Sequence, residues 1–169
     1  MSEPYCFDIE TLLNECQPDS VLVMGCGANE AVDNYAEQKR TLGRDCRIDR
    51  LAAAEAGAIA RRYDLGIVTE TIEALGKREA LHLLSRLRDL HTARFCLAVP
   101  VGEDWQGLKS TWTSNELLAV GMTLVNSYEN EPGRRLHLYK YDIGTYKATP
   151  RWLNPDDWAN PELWNKYRW

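Results

Sequence analysis

An α/β fold, a mostly parallel sheet between two layers of helices, is what this sequence predicts, and three observations predict it. Three short apolar runs, at residues 20–24, 65–68 and 94–100, have the composition of strands buried on both faces. Segments with helical apolar spacing lie between them, and strands that alternate with helices pair in parallel. Two further strand candidates, 122–128 and 136–143, flank Glu129-Asn130-Glu131-Pro132-Gly133, which suits an antiparallel C-terminal hairpin.

Residues 7–16 form the first helix. Ile9, Leu12, Leu13 and Cys16 share one face, and Asp8 is available as a cap. Pro18 and Asp19 end it. Strand 20–24 runs into Gly25-Cys26-Gly27-Ala28-Asn29, a tight glycine turn. Residues 30–40 then turn Ala31, Val32, Tyr35 and Ala36 inward from a helix that Gly43 stops. A strand at 44–48 closes at Asp49. The alanine-rich stretch 51–62 is expected to be helical despite Gly57. After strand 65–68 and a loop around Glu70 comes the strongest helix, 77–91. Its stripe is Ala80, Leu83, Leu84, Leu87 and Leu90, with Arg78, Arg86 and Asp89 facing out. Thr113-Ser114-Asn115-Glu116 has the pattern of a capping box and opens a short helix ending near Gly121. Right-handed crossovers place helices on both faces of the sheet, which makes three layers.

Composition narrows the function. At 169 residues the chain suits one domain with a real core, and its 44% hydrophobic content excludes intrinsic disorder. A net charge of −5 carries no basic footprint, so duplex nucleic acid is not expected as a partner. No apolar run approaches the roughly 20 residues that span a bilayer, and the acidic N-terminus lacks a signal-peptide pattern. No membrane association is expected, and the location expected is cytoplasmic. Cysteines stand at 6, 16, 26, 46 and 96 with no C-x-x-C pair, so free thiols are expected and no metal site. His82, His91 and His137 do not group as ligands and are read as structural or surface residues.

The chemistry concentrates after the first strand. In Val21-Leu22-Val23-Met24-Gly25-Cys26-Gly27 a strand feeds a glycine turn and then a helix. Glycines let a backbone approach a ligand closely, and the helix start offers unpaired N–H groups. Asp49 follows Gly27 by 22 residues, near the spacing of an acid that holds ribose hydroxyls. In an open parallel sheet the ligand lies beyond the carboxyl ends of strands, which here adds Thr69 and Glu70. Bland alternatives stand beside each reading. Asp49 can cap a helix, Cys26 can be a small packing residue instead of a reactive thiol, and Glu70 and Glu73 can be solvated acids instead of a general base and a helix cap.

With that turn, Asp49 and the stretch Tyr63-Asp64-Leu65-Gly66-Ile67-Val68-Thr69-Glu70-Thr71-Ile72-Glu73-Ala74-Leu75, the chain resembles the class I S-adenosylmethionine-dependent methyltransferases. It also resembles a small bacterial family of uncharacterised proteins, which implies no activity. The methyltransferase resemblance implies a Rossmann-like sheet, S-adenosylmethionine as cofactor and an unknown methyl acceptor. It implies a cofactor site of Gly25, Cys26, Gly27, Asn29, Asp49, Thr69 and Glu70, and it names no catalytic residue. Asn29 stands where that family has a third glycine. Only thirteen residues separate Asp49 from Tyr63, so the family's third strand is expected to be missing and the sheet shortened. No amino-methylating N-P-P-Y-type tetrapeptide follows Glu70. A non-enzymatic binding or scaffolding module on the same fold is the alternative. A nicotinamide enzyme fits less, because Glu30 stands where its third glycine belongs.

The expected domain spans 1–148, and 149–169 is a Trp-rich tail packed on it. Trp152, Trp158, Trp164 and Trp169 lie there, and Asn154-Pro155-Asp156-Asp157-Trp158 is echoed by Asn160-Pro161-Glu162-Leu163-Trp164. Each unit has the residues that start a helical turn. The tail can wrap the domain, form a homodimer or other partner surface, or cover the cofactor site.

Overall fold

Strand and helix alternate along the chain, and each strand's alternate residues feed different cores. The computed structural model describes residues 3–102, 105–131 and 134–146. The order is α1 (Cys6–Cys16), β1 (Ser20–Met24), α2 (Asn29–Thr41), β2 (Arg47–Leu51), β3 (Tyr63–Thr69), α3 (Lys77–Arg86), β4 (Thr92–Val101), α4 (Ser114–Ala119), β5 (Thr123–Glu131), β6 (Arg134–Asp142) and a last helical turn, α5 (Ile143–Tyr146). The strands form one sheet in the order β2-β1-β3-β4-β6-β5. β1, β3 and β4 are central and parallel, β2 extends them in parallel, and β6 runs antiparallel to both β4 and β5. The chain winds outward from β1 to β2, then returns past β1 to β3. That reversal leaves a crevice beyond the carboxyl ends of β1 and β3.

Leu22, Met24, Val68, Leu97 and Val99 face one core, closed by α3, α4 and the fully buried Trp112. Val21, Val23, Leu65, Ile67 and Cys96 face the other, closed by α1 and α2. This is the expected three-layer, shortened sheet: β2 is an edge, and among the described residues no further strand precedes β3. The expected capping box is present. Thr113 Oγ1 accepts from the Glu116 amide at 3.4 Å, and Glu116 Oε2 accepts from the Thr113 amide at 2.9 Å.

Several local expectations are corrected. Residues 51–62 form no α-helix; a 3-10 helix covers only Ala53–Ala58 and buries none of its residues. Alanine supplies helix propensity but no large apolar stripe to bury, so packing cannot support a long helix there. The strand expected at 44–48 runs instead from Arg47 to Leu51, with Asp49 in its middle, because the register pairs Asp49 with Leu22. The helix expected through residue 91 is α-helical only to Arg86. A wider π turn, Leu87–His91, buries His91 and leaves Leu90 exposed. Asp8 does not cap α1. Its carboxylate accepts from Asn126 Nδ2 at 2.9 Å and from the Tyr128 hydroxyl, tying α1 to β5. The cysteines are free thiols, and no helix among the described residues is long and apolar enough to cross a membrane. The tail at 149–169 lies outside the described residues.

Candidate functional site

The turn after β1 presses directly on the end of β3. Gly25 has φ +86°, and a Cβ there would lie 1.7 Å from the Thr69 carbonyl oxygen. Only glycine permits both the left-handed backbone and that approach. At Gly27 a Cβ would lie 1.8 Å from the Tyr5 hydroxyl. Tyr5 is buried, and Cys6 Sγ donates to the Gly27 carbonyl at 3.4 Å. Burial, with the charges of Glu3 and Glu70, holds the Tyr5 phenol well above its ordinary range, although a hydrogen bond with Thr69 opposes this. Both glycines therefore serve the chain's own packing. Thr69 is fully buried beneath the turn, and its carbonyl accepts from Thr71 Oγ1 at 2.7 Å.

Above the turn lies a cleft of about 420 Å³, lined among others by Gly25, Cys26, Asn29, Arg50, Leu51 and Glu70. Four of the residues expected from sequence meet there: Gly25, Cys26, Asn29 and Glu70. Glu70 takes a left-handed conformation, φ +50°, that few non-glycine residues adopt. Its Oε2 accepts from Cys26 Sγ at 2.7 Å. That hydrogen bond, with Glu70's charge, raises the Cys26 pKa and keeps the thiol protonated. The reactive-thiolate reading of Cys26 loses its basis, since the thiolate is the nucleophile.

Asp49 does not line the cleft. It shares a sheet face with Leu22, and Tyr63 donates to its Oδ2 at 2.8 Å while Arg47 Nε lies 3.1 Å away. These bonds, Tyr63's first, hold its carboxyl below the usual carboxylate range. The next residue, Arg50, reaches the cleft instead. Its Nε donates to Asn29 Oδ1 at 3.1 Å and its Nη2 to Asp33 Oδ1 at 2.5 Å. Sequence spacing passed over Arg50. Strand register was the missing signal: Met24 pairs with Leu51, which sets Arg50 near the end of β1.

Glu73 also differs from a solvated acid. It is buried in a 3-10 turn, Ile72–Ala74, and its Oε2 has no hydrogen-bond partner among the described residues. Burial, with a smaller push from Glu70, raises its pKa to about 6, against the pull of the Glu73 and Thr71 amides. His137 is buried too, with its Nδ1 3.1 Å from the Tyr139 hydroxyl and its Nε2 unpartnered among the described residues.

Residues 6–169 match the model of DUF6231, described as a family of unknown function. No curated protein matches. Solved structures share the fold. TehB from Haemophilus influenzae is similar at 14% identity and a TM-score of 0.53, over 80% of this chain and 62% of that one. The chain thus spans less than two thirds of TehB. The Burkholderia thailandensis 1,6-didemethyltoxoflavin-N1-methyltransferase, with bound S-adenosylhomocysteine, is similar at 17% identity and a TM-score of 0.54, over 83% of this chain and 79% of that one. Magnesium protoporphyrin IX methyltransferase from Synechocystis PCC 6803, with bound S-adenosylmethionine, follows at 11% identity and a TM-score of 0.50, over 81% of this chain and 78% of that one. The likeness establishes a methyltransferase-type fold.

Proposed function

We propose a function from the premise that this chain belongs to the DUF6231 family, whose function is unknown. In our reading it binds S-adenosylmethionine in the cleft above the glycine turn and transfers the methyl group to an acceptor of unknown kind. The observation that carries this is the cleft's position. It opens where the winding reverses, beyond the carboxyl ends of β1, β2 and β3. Two of the similar structures hold this cofactor or its demethylated product, which supports the reading.

The residues divide the ligand between them. Gly25 presents its backbone to the methionine part at the floor of the cleft, and Glu70 accepts from its ammonium group. Asn29 and Arg50 face the ribose, because the Asp49 carboxylate is engaged by Tyr63 and Arg47. Gly27 and Thr69 support the turn from beneath. Methyl transfer needs mainly a positioned donor and acceptor with water excluded, so the chemistry requires no dedicated catalytic triad. The free thiols fit a reducing compartment, and we place the protein in the cytoplasm. A second reading, a module that binds without transferring, is favoured by Arg50. A guanidinium offers only donors, whereas a carboxylate would accept from both ribose hydroxyls.

Calorimetric titration with S-adenosylhomocysteine, against NAD and ATP as controls, tests the site. The expected result is selective binding of S-adenosylhomocysteine. Glu70→Ala should weaken it about ten- to a hundredfold, the worth of one charged hydrogen bond. Asp49→Ala should leave it unchanged. No heat at millimolar ligand from a folded protein ends the methyltransferase reading and leaves the binding module.

A further inference from the structure

A second and larger cavity, about 960 Å³, lies on the α3 side of the sheet, between the Ala53–Ala58 stretch and α3. Ala53, Ala54 and Ala56 line one side and Leu75, Leu81 and Leu83 the other. The 3-10 stretch buries none of its residues, and Leu81 on α3 is 36% exposed. Arg78 and Arg86 also line it. Arg78 is exposed. This is a groove with apolar walls and both basic residues and the acidic Glu79 along it, beside the edge strand β2, where the sheet is shortened.

The chain itself supplies an occupant rich in large apolar rings. β6 ends against the start of β4, since Asp142 pairs with Arg94, and α5 ends four residues later at Tyr146. α3 also delivers the chain to the start of β4, through the Leu87–His91 turn. Asp142 and the short α5 that follows it therefore lie at the same end of the strands as the Arg86 end of the groove. The 23 residues 147–169 reach up to roughly 75 Å when extended, against about 15 Å for the length of α3. They carry four tryptophans, and their three acids lie together before two of these, in Asp156-Asp157-Trp158 and Glu162-Leu163-Trp164, while the basic Lys147, Arg151, Lys166 and Arg168 stand towards the two ends of the segment. The family match covers the sheet and runs through these residues to 169.

We propose that residues 147–169 dock in the groove of their own chain, tryptophan rings against the alanine stretch and Leu81, acids against Arg78 and Arg86. Each ring buried there removes about 150–250 Å² from water and covers apolar surface that the short 3-10 stretch leaves open. The docking does not depend on the methyltransferase reading. It does border the ligand cleft, because Ala53 lines both cavities.

Hydrogen exchange and limited trypsin digestion of the full chain test this, the latter read at Lys147 and Arg151. Leu81→Asp and Trp158→Ala/Trp164→Ala should each raise exchange over 53–58 and speed cleavage about tenfold, with β1 and β3 unchanged. Arg78→Glu, an exposed change that disturbs no core, should speed cleavage in the same direction. Leu118→Asp, on an exposed leucine of α4, should do neither. Groove variants that cleave and exchange like wild type overturn the proposal. So does groove protection that fades on dilution, which would give the groove to a second copy of the chain.

Discussion

Two connections leave neighbouring strands and end differently. After β1 the chain turns through Gly25 and Gly27 into α2, and every step of the turn is in contact. Thr69 lies against Gly25 and Tyr5 against Gly27. After β2 it makes only the Ala53–Ala58 stretch, where a Cβ on Gly57 would meet nothing within 4 Å. The first connection is rich in residues that something else needs in place. The second has high helix propensity and little to bury. Burial, not propensity, decides which connection becomes a full layer of the fold.

Matched substitutions can break this contrast. The largest effect belongs to Gly25→Ala. A left-handed φ and contact with the Thr69 backbone combine, and a loss of about 3 kcal/mol or more in urea unfolding is expected. Survival at wild-type stability would mean that the turn is loose. Gly27→Ala comes next, and its cost should be largely relieved by Tyr5→Phe, because the nearest clash is with the hydroxyl. A double-mutant cycle should show coupling of about 1–3 kcal/mol, and zero coupling would separate Tyr5 from the turn. Gly27 therefore does not report on the ligand site alone. A valine there would disturb Tyr5 and the fold before it reached a ligand.

Glu73 gives a pH-dependent version of the same comparison. Its carboxyl titrates at about 6, above the value of 4.5 for an unhindered glutamate. The folded state then holds a proton that the unfolded state has released, so this residue's contribution to stability falls as pH rises from about 4.5 through 6. The loss is about 2 kcal/mol and is complete above that window. Glu73→Gln should flatten this part of the stability profile, and an unchanged slope would assign it to another group. The smallest effect is expected at Gly57→Ala. Nothing crowds it and its φ is ordinary, so reduced entropy of the unfolded chain should stabilise by about 0.4–1 kcal/mol. The same Gly→Ala change thus carries opposite signs in the two connections.

Much of the fold was legible in the chain. The apolar runs at β1, β3 and β4, the stripe of α3 and the Thr113 box each follow from a local pattern with one physical meaning. Much of the candidate site was legible too, because a glycine turn after a buried strand marks the crevice, and Gly25, Cys26, Asn29 and Glu70 do meet there. Asp49 and Arg50 were not separable by spacing, since one residue's shift along a strand turns a side chain to the other face. Nor was the burial of Glu73 visible, because the Lys109 and Ser110 amides that close over its carbonyl come from a distant loop.

By itself the sequence determined which segments bury, because apolar periodicity and turn residues act within a few residues of one another. It pointed to a missing third strand between Asp49 and Tyr63, because thirteen residues cannot hold a helix, a strand and another helix. Only the tertiary structure decided what the glycines are for, which of two adjacent residues enters the cleft, and which acid is left unpaired. Those outcomes depend on register and on contacts between Tyr5, Gly27, Thr69 and Glu70, residues far apart in the chain. No local pattern encodes the distance between them.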